Sequence, residues 1–129
     1  MLRTGILNPH ILELVARIRH TNTLVIADRG FPFWPEIETV DISLVDDIPK
    51  VLDVLTALRQ NCLFGPVFMA QEFLEHNTQE TRARFSNAME GLQVTFEPHI
   101  EFKKRVPSAI GLIRTADTTQ YGNMILESA

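Results

Sequence analysis

Thr23-Leu-Val-Ile-Ala27 is the stretch that most constrains how this chain folds. It is short, almost wholly apolar and rich in β-branched residues, so as a strand it has no polar face to give to water. Such a strand has to be covered on both sides, which points to a layered α/β sheet. The flanking segments agree. Asn8-Pro9 offers an N-cap side chain and then proline at the first helical position. Leu7, Ile11, Leu14, Val15 and Ile18 follow at helical spacing, and His20 falls at or just past the helix end. After the strand, Asp28 to Pro35 holds glycine, two prolines and three aromatics, which reads as a loop.

The alternation continues along the chain. Val40-Asp41-Ile42 reads as a short strand or extended connection. Asp46, Asp47 and Pro49 mark a second helix start, with Val51, Val54, Leu55 and Leu58 as its buried stripe. Pro66 to Ala70 is an apolar strand candidate, and Asn77 with Glu80 resembles a capping signal for a helix through Met89. Val94-Thr-Phe96 alternates as a strand, and Pro98-His99 starts a short helix to about Arg105. Ala109 to Ile113 and Tyr121 to Leu126 read as two closing strands. Helices and strands joined by short connections imply a single α/β domain over residues 1–129, with a mainly parallel central sheet flanked by helices.

Composition removes several function classes. With 45% hydrophobic and 22% charged residues, the 129-residue chain has the make-up of a soluble globular domain. A net charge of -4 argues against binding nucleic acid, and the one basic cluster, Lys103-Lys104-Arg105, is expected to be a solvated helix face. Cys62 is the only cysteine, so neither an intrachain disulfide nor a thiolate metal cluster is available; it is expected in the core. No apolar run approaches a membrane span and the N-terminus has no signal pattern, so a cytoplasmic location is expected. GxGxxG, P-loop and GxSxG motifs are missing, which leaves nucleotide and serine-hydrolase readings without support.

The residues able to carry chemistry are few. His20 brings an imidazole that exchanges protons near neutral pH, against the plainer reading of a helix C-cap. Asp28 ends a buried strand and is a ready acceptor for hydroxyl groups, or else a turn former ahead of Gly30. His99 and Lys103 share a helical face; they either grip a ligand or lie exposed. Glu72, His76 and Asn77 form a polar group after a strand, with capping as the plain explanation. Tyr121-Gly122-Asn123 offers a hydroxyl, an amide and a glycine that lets a ligand approach the backbone, or is an ordinary turn. The histidines lack metal-ligand spacing.

Taken in order, these pieces resemble the RbsD/FucU family of sugar mutarotases, the D-ribose pyranases and L-fucose mutarotases. The resemblance spans essentially the whole chain. It rests on Gly5-Ile-Leu-Asn8, on His20 to Asp28 with Gly30-Phe-Pro32, and on Val40-Asp41-Ile-Ser-Leu44. Ala70-Gln-Glu72, His76-Asn77, His99-Ile-Glu-Phe-Lys103, Arg114-Thr115 and Tyr121 to Leu126 extend it. It implies interconversion of ring forms and anomers of a free monosaccharide without cofactor or metal. The proton-transferring histidine falls on His20, and sugar-binding positions fall on Asp28, His99, Lys103, Tyr121 and Asn123. His99 with Phe102-Lys103 looks like the ribose branch, whereas Tyr121-Gly-Asn123 and Phe31-Pro32 look more like the fucose branch. D-ribose is the expected substrate; an L-fucose-type mutarotase and a non-catalytic sugar-binding module are the alternatives. Arg29, Trp34 and Ala116-Asp117 depart from the family pattern, and an Arg29 facing the pocket would suit an acidic or phosphorylated sugar. The family forms pentameric rings, stacked as decamers in ribose-type members, with sites between subunits. The spacing of this chain fits that. A strand of five or six residues spans roughly 17–20 Å, so His20 before it and Asp28 after it cannot share one sugar within a straight subunit.

Overall fold

β1 (Thr23–Ala27) lies inside a six-stranded sheet and sends its side chains alternately into two apolar layers. Leu24 and Ile26 enter one layer, Val25 and Ala27 the other, and all four are fully buried. This is the two-sided cover that the run demanded. The computed structural model describes all of residues 1–129. The other strands are β2 (Glu38–Asp41), β3 (Phe64–Ala70), β4 (Val94–Glu97), β5 (Gly111–Arg114) and β6 (Met124–Ser128), in the spatial order β2-β5-β1-β6-β3-β4. The pairs β2–β5, β5–β1 and β3–β4 are parallel; β6 runs antiparallel to both of its neighbours, β1 and β3. The sheet is mostly parallel, with one reversed strand joining its two parallel parts.

Five helices cover it: α1 (Pro9–Ala16), α2 (Val51–Asn61), α3 (Glu72–His76), α4 (Gln79–Ala88) and α5 (His99–Arg105). Leu14, Leu55, Phe73 and Phe85 from the first four pack with Leu24 and Ile26. Phe102 of α5 and Val106 of the following 3-10 turn pack with Val25 and Phe31 on the opposite face.

Several boundaries differ from the sequence expectation, each for a local reason. α1 ends at Ala16 and is capped by Arg17, whose N–H reaches Leu14 O. His20 is therefore no helix cap. It sits in a turn where the Asn22 side chain accepts the Arg19 N–H (2.8 Å) and Thr21 takes φ 68°. A short amide side chain bonding the backbone in this way competes with helix continuation. The cap of α4 is Thr78, which accepts from Thr81 N–H at 3.2 Å, because Asn77 is occupied elsewhere. The extended β2 begins at Glu38, ahead of the expected residue 40. The closing strands begin later than expected, at Gly111 and Met124, and Tyr121 takes φ 54° in a turn. α3 was not expected at all. Two members of the basic run are paired locally: Lys104 with Glu101 (2.9 Å), and Arg105 with Glu97 (2.5 Å) while lying 3.8 Å over the Phe68 ring. Cys62 is half-buried at the end of α2 rather than in the core, and burial pushes its thiol pKa up, away from reactivity. No helix is long and apolar enough to cross a membrane.

Gly111 fixes how closely α1 crosses the sheet. A Cβ built there would stand 2.6 Å from Leu14 Cδ1. Gly111→Ala is expected to cost about 1–3 kcal/mol through overpacking. Gly65→Ala, where the nearest atom is 4.0 Å away, is expected to stay within about 0.5 kcal/mol. Urea unfolding of both variants checks the pair.

Candidate active site

The chain leaves β1 at Asp28, and the loop that follows is tied to the end of β5. Arg114, in register with Ala27, donates to Asp28 O (3.1 Å) and to Pro32 O (3.1 Å). Buried Thr115 donates its backbone N–H (2.9 Å) and its hydroxyl (2.8 Å) to Ala27 O. Asn123, buried just ahead of β6, uses both ends of its amide on Asp28. Its Oδ1 accepts the Asp28 N–H at 2.7 Å and its Nδ2 donates to Asp28 Oδ2 at 3.1 Å. Gly30 N–H adds a bond to Asp28 Oδ1 at 3.0 Å. The carboxylate is thus held from several sides. Burial still pushes its pKa above the usual carboxylate value, against the lowering effect of the Gly30, Phe31 and Asn123 donors.

His99 faces this group from the first position of α5. Its ring stacks with Phe102 (6.0 Å) and meets Phe31 (6.2 Å) and Tyr121 (5.1 Å) edge-on. Its Nδ1 is buried and has no hydrogen-bond partner. Burial pushes the imidazole below its ordinary pKa, the Lys103 ammonium adds to this, and Glu72 opposes it. The ring is therefore neutral at pH 7 and offers one acceptor and one donor. Tyr121 lies between His99 and His76, whose ring is 5.3 Å away.

Asp28, Phe31, His99, Gln120, Tyr121 and Asn123, with Gly30 and Pro32, enclose a cleft of about 350 Å³. That is a size suited to a small molecule. A larger groove of about 510 Å³ around Phe73, Met89 and Phe96 is mostly apolar and holds none of the candidate groups.

The structure thus brings together Asp28, His99, Tyr121 and Asn123. Lys103 acts on His99 but does not line the cleft. His20 is exposed and precedes β1, at the opposite end from Asp28. Arg29 turns away and pairs with Asp46 (2.6 Å), while Trp34 packs on Phe31 (6.2 Å); neither lines the cleft. Asp117 is buried and structural, accepting N–H groups from Val51 (2.9 Å) and Thr119 (2.8 Å). The close approach at Gly122 is made by the Thr119 carbonyl, 3.2 Å from a built Cβ, and not by space for a ligand. Sequence reasoning missed Gln120, which no local pattern marks, and the service of Glu72, whose two oxygens accept the His99 N–H at 3.0 and 3.1 Å.

Known proteins match this chain over its full length. The model of the RbsD / FucU transport protein family covers residues 1–129. A D-ribose pyranase of Geobacillus kaustophilus is 38% identical, over 99% of this chain and 93% of the relative. The structure of Bacillus subtilis RbsD complexed with D-ribose superposes with a TM-score of 0.91 at 31% identity, covering 100% of this chain and 98% of that one. The fucose mutarotase of Streptococcus pneumoniae, solved with L-fucose, has a TM-score of 0.84 at 16% identity, covering 99% and 98%; it shows the shared fold. Fold and relatives together define an enzyme of the isomerase class. The chain belongs to the RbsD / FucU family.

Proposed function

We propose that this protein interconverts pyranose, furanose and anomeric forms of a free aldose, D-ribose first, with His20 as the proton-transfer group. One observation carries the reading. The held Asp28 carboxylate and the His99 imidazole line the same cleft, in a chain 38% identical to a D-ribose pyranase. Both are hydrogen-bonding groups suited to hydroxyls, with the Tyr121 hydroxyl and the Asn123 amide beside them. No lysine or arginine lines the cleft, which supports an uncharged sugar over a phosphorylated one.

The reaction asks little beyond acid–base chemistry. The proton of the anomeric hydroxyl is removed, the C1–O5 bond breaks and O5 takes a proton, leaving an open-chain aldehyde. Closure through O4 gives the furanose; closure through O5 on the other carbonyl face gives the other anomer. Protons balance and nothing is oxidised. An imidazole can both accept and give up a proton, which suits both directions of transfer.

His20 reaches a sugar in this cleft only from a neighbouring copy. The five residues of β1 separate it from Asp28, about 17 Å at the strand rise. The reading therefore includes a homo-oligomeric ring, pentameric or stacked as a decamer, with each site shared between copies. Exposed Phe33, Leu44, Val45 and Ile48 supply apolar surface for such contacts to cover. A cytoplasmic setting, with a free sugar as the ligand, completes it.

Saturation-transfer NMR across D-ribose, L-fucose and other free aldoses tests the proposal. Faster exchange between ring forms is expected, strongest for D-ribose. Acceleration of L-fucose alone would reassign the substrate. Binding with no acceleration of any aldose would replace the enzyme by a sugar-binding module.

A further inference from the structure

We propose that Glu72 is a positioning residue for the sugar site, fixing through the first N–H of α5 where the His99 imidazole stands. The inference rests on the proposed sugar isomerase function. Its basis is the register of two parallel strands. β3 and β4 pair Ala70 with Glu97, and the ladder runs one step further through Gln71 N–H to Glu97 O (2.7 Å). Glu72 and His99 therefore come out side by side, each opening a helix.

The start of α5 needs a partner that its own sequence does not provide. Pro98 stands at the N-cap with no side chain able to accept a hydrogen bond. The Glu72 carboxylate, 27 residues away, takes that place and accepts the His99 N–H with both oxygens. A negative group there also suits the helix dipole. The bond fixes the residue whose imidazole lines the cleft. The far end of the same five-residue helix holds the other wall: Asn77 Nδ2 donates to Gln120 O at 2.8 Å, and the His76 ring lies against Tyr121. α3 thus sets both sides of the cleft, with Glu72 on the His99 side.

Glu72→Ala, Glu72→Gln and Glu72→Asp in the full-length protein test this by two readouts. The first is KM and kcat for D-ribose exchange. The second is the His99 ring resonances without sugar, which sense displacement through the adjacent Phe102 and Tyr121 rings. Glu72→Ala is expected to raise KM about fivefold, the misplacement of one hydrogen bond from the neutral His99 ring to the sugar, with kcat little changed and the His99 resonances shifted. Glu72→Gln keeps an acceptor and is expected to recover most of KM. Glu72→Asp keeps the charge but shortens the reach, and is expected to raise KM even if the alanine variant does not fold. Wild-type KM and unmoved His99 resonances in folded Ala or Asp variants would overturn the proposal. If the wild type accelerates no aldose, the enzyme reading fails separately. The His99 resonances then decide this one: a shift in the Ala or Asp variant upholds it, and none overturns it.

Discussion

His20→Ala is expected to lower D-ribose ring exchange by about 10²–10⁴-fold, the usual contribution of a positioned acid–base group. Sugar affinity is expected to hold within a few-fold, because Asp28, His99, Tyr121 and Asn123 all remain in the cleft. Stability is expected to hold as well. His20 is exposed in a turn, so its loss falls in the range of about ±0.5 kcal/mol seen for surface changes. Saturation transfer gives the rate, calorimetric titration the affinity and thermal unfolding the stability. A parallel loss of affinity and rate would assign His20 to holding the sugar instead of moving its proton.

Asp28→Asn is expected to do the reverse of a stability variant: affinity for D-ribose falls about 10–100-fold, since hydrogen bonds to a charged acceptor are worth about 1.5–3 kcal/mol, while the fold barely changes. Two opposing terms produce that second outcome. Burial holds the Asp28 pKa above its unfolded value, so its ionisation opposes folding. The stability this group contributes is fully present below the unfolded pKa of about 3.9 and is lost as pH rises through the folded value. The neutral amide removes that cost. It also places an NH₂ against either Gly30 N–H or Asn123 Nδ2, losing one bond, worth about 1 kcal/mol. Binding has the opposite pH sense. Sugar affinity in the wild type is expected to fall as pH drops through the folded Asp28 pKa, and this acid limb should vanish in Asp28→Asn. Titration calorimetry at several pH values checks both.

Much of this was legible because β1 is so constrained. An apolar strand followed by Asp28 and a glycine-proline loop has few ways to fold, and the loop became one wall of the cleft. The His99 helix was legible from Pro98, and Asn123 from its place before an apolar run. What escaped were arrangements set by distant partners. No local pattern reveals that β6 enters the sheet reversed between β1 and β3. Asn77 has the composition of a cap, yet Phe73 O (2.9 Å) and Gln120 O claim its side chain and leave Thr78 to cap α4. Arg29 reads as a candidate ligand group until Asp46 is found beside it. Glu72 shows its service to His99 only once two parallel strands are in register.

Shared sites are the central claim, and mixing two variants impaired in different ways tests it most directly. His20→Ala keeps the cleft, and Asp28→Asn keeps the histidine. The two are refolded together in equal amounts, and native mass spectrometry establishes that mixed assemblies have formed. Random mixing puts an intact His20 beside an intact cleft at about one site in four in a closed ring of identical contacts. With D-ribose well below the wild-type KM, where each variant alone is expected to keep about a tenth or less of the wild-type rate, exchange in the mixture is expected to return to about a quarter of it. Mixed assemblies no faster than the variants alone would contradict the account and confine His20 and the cleft to separate tasks.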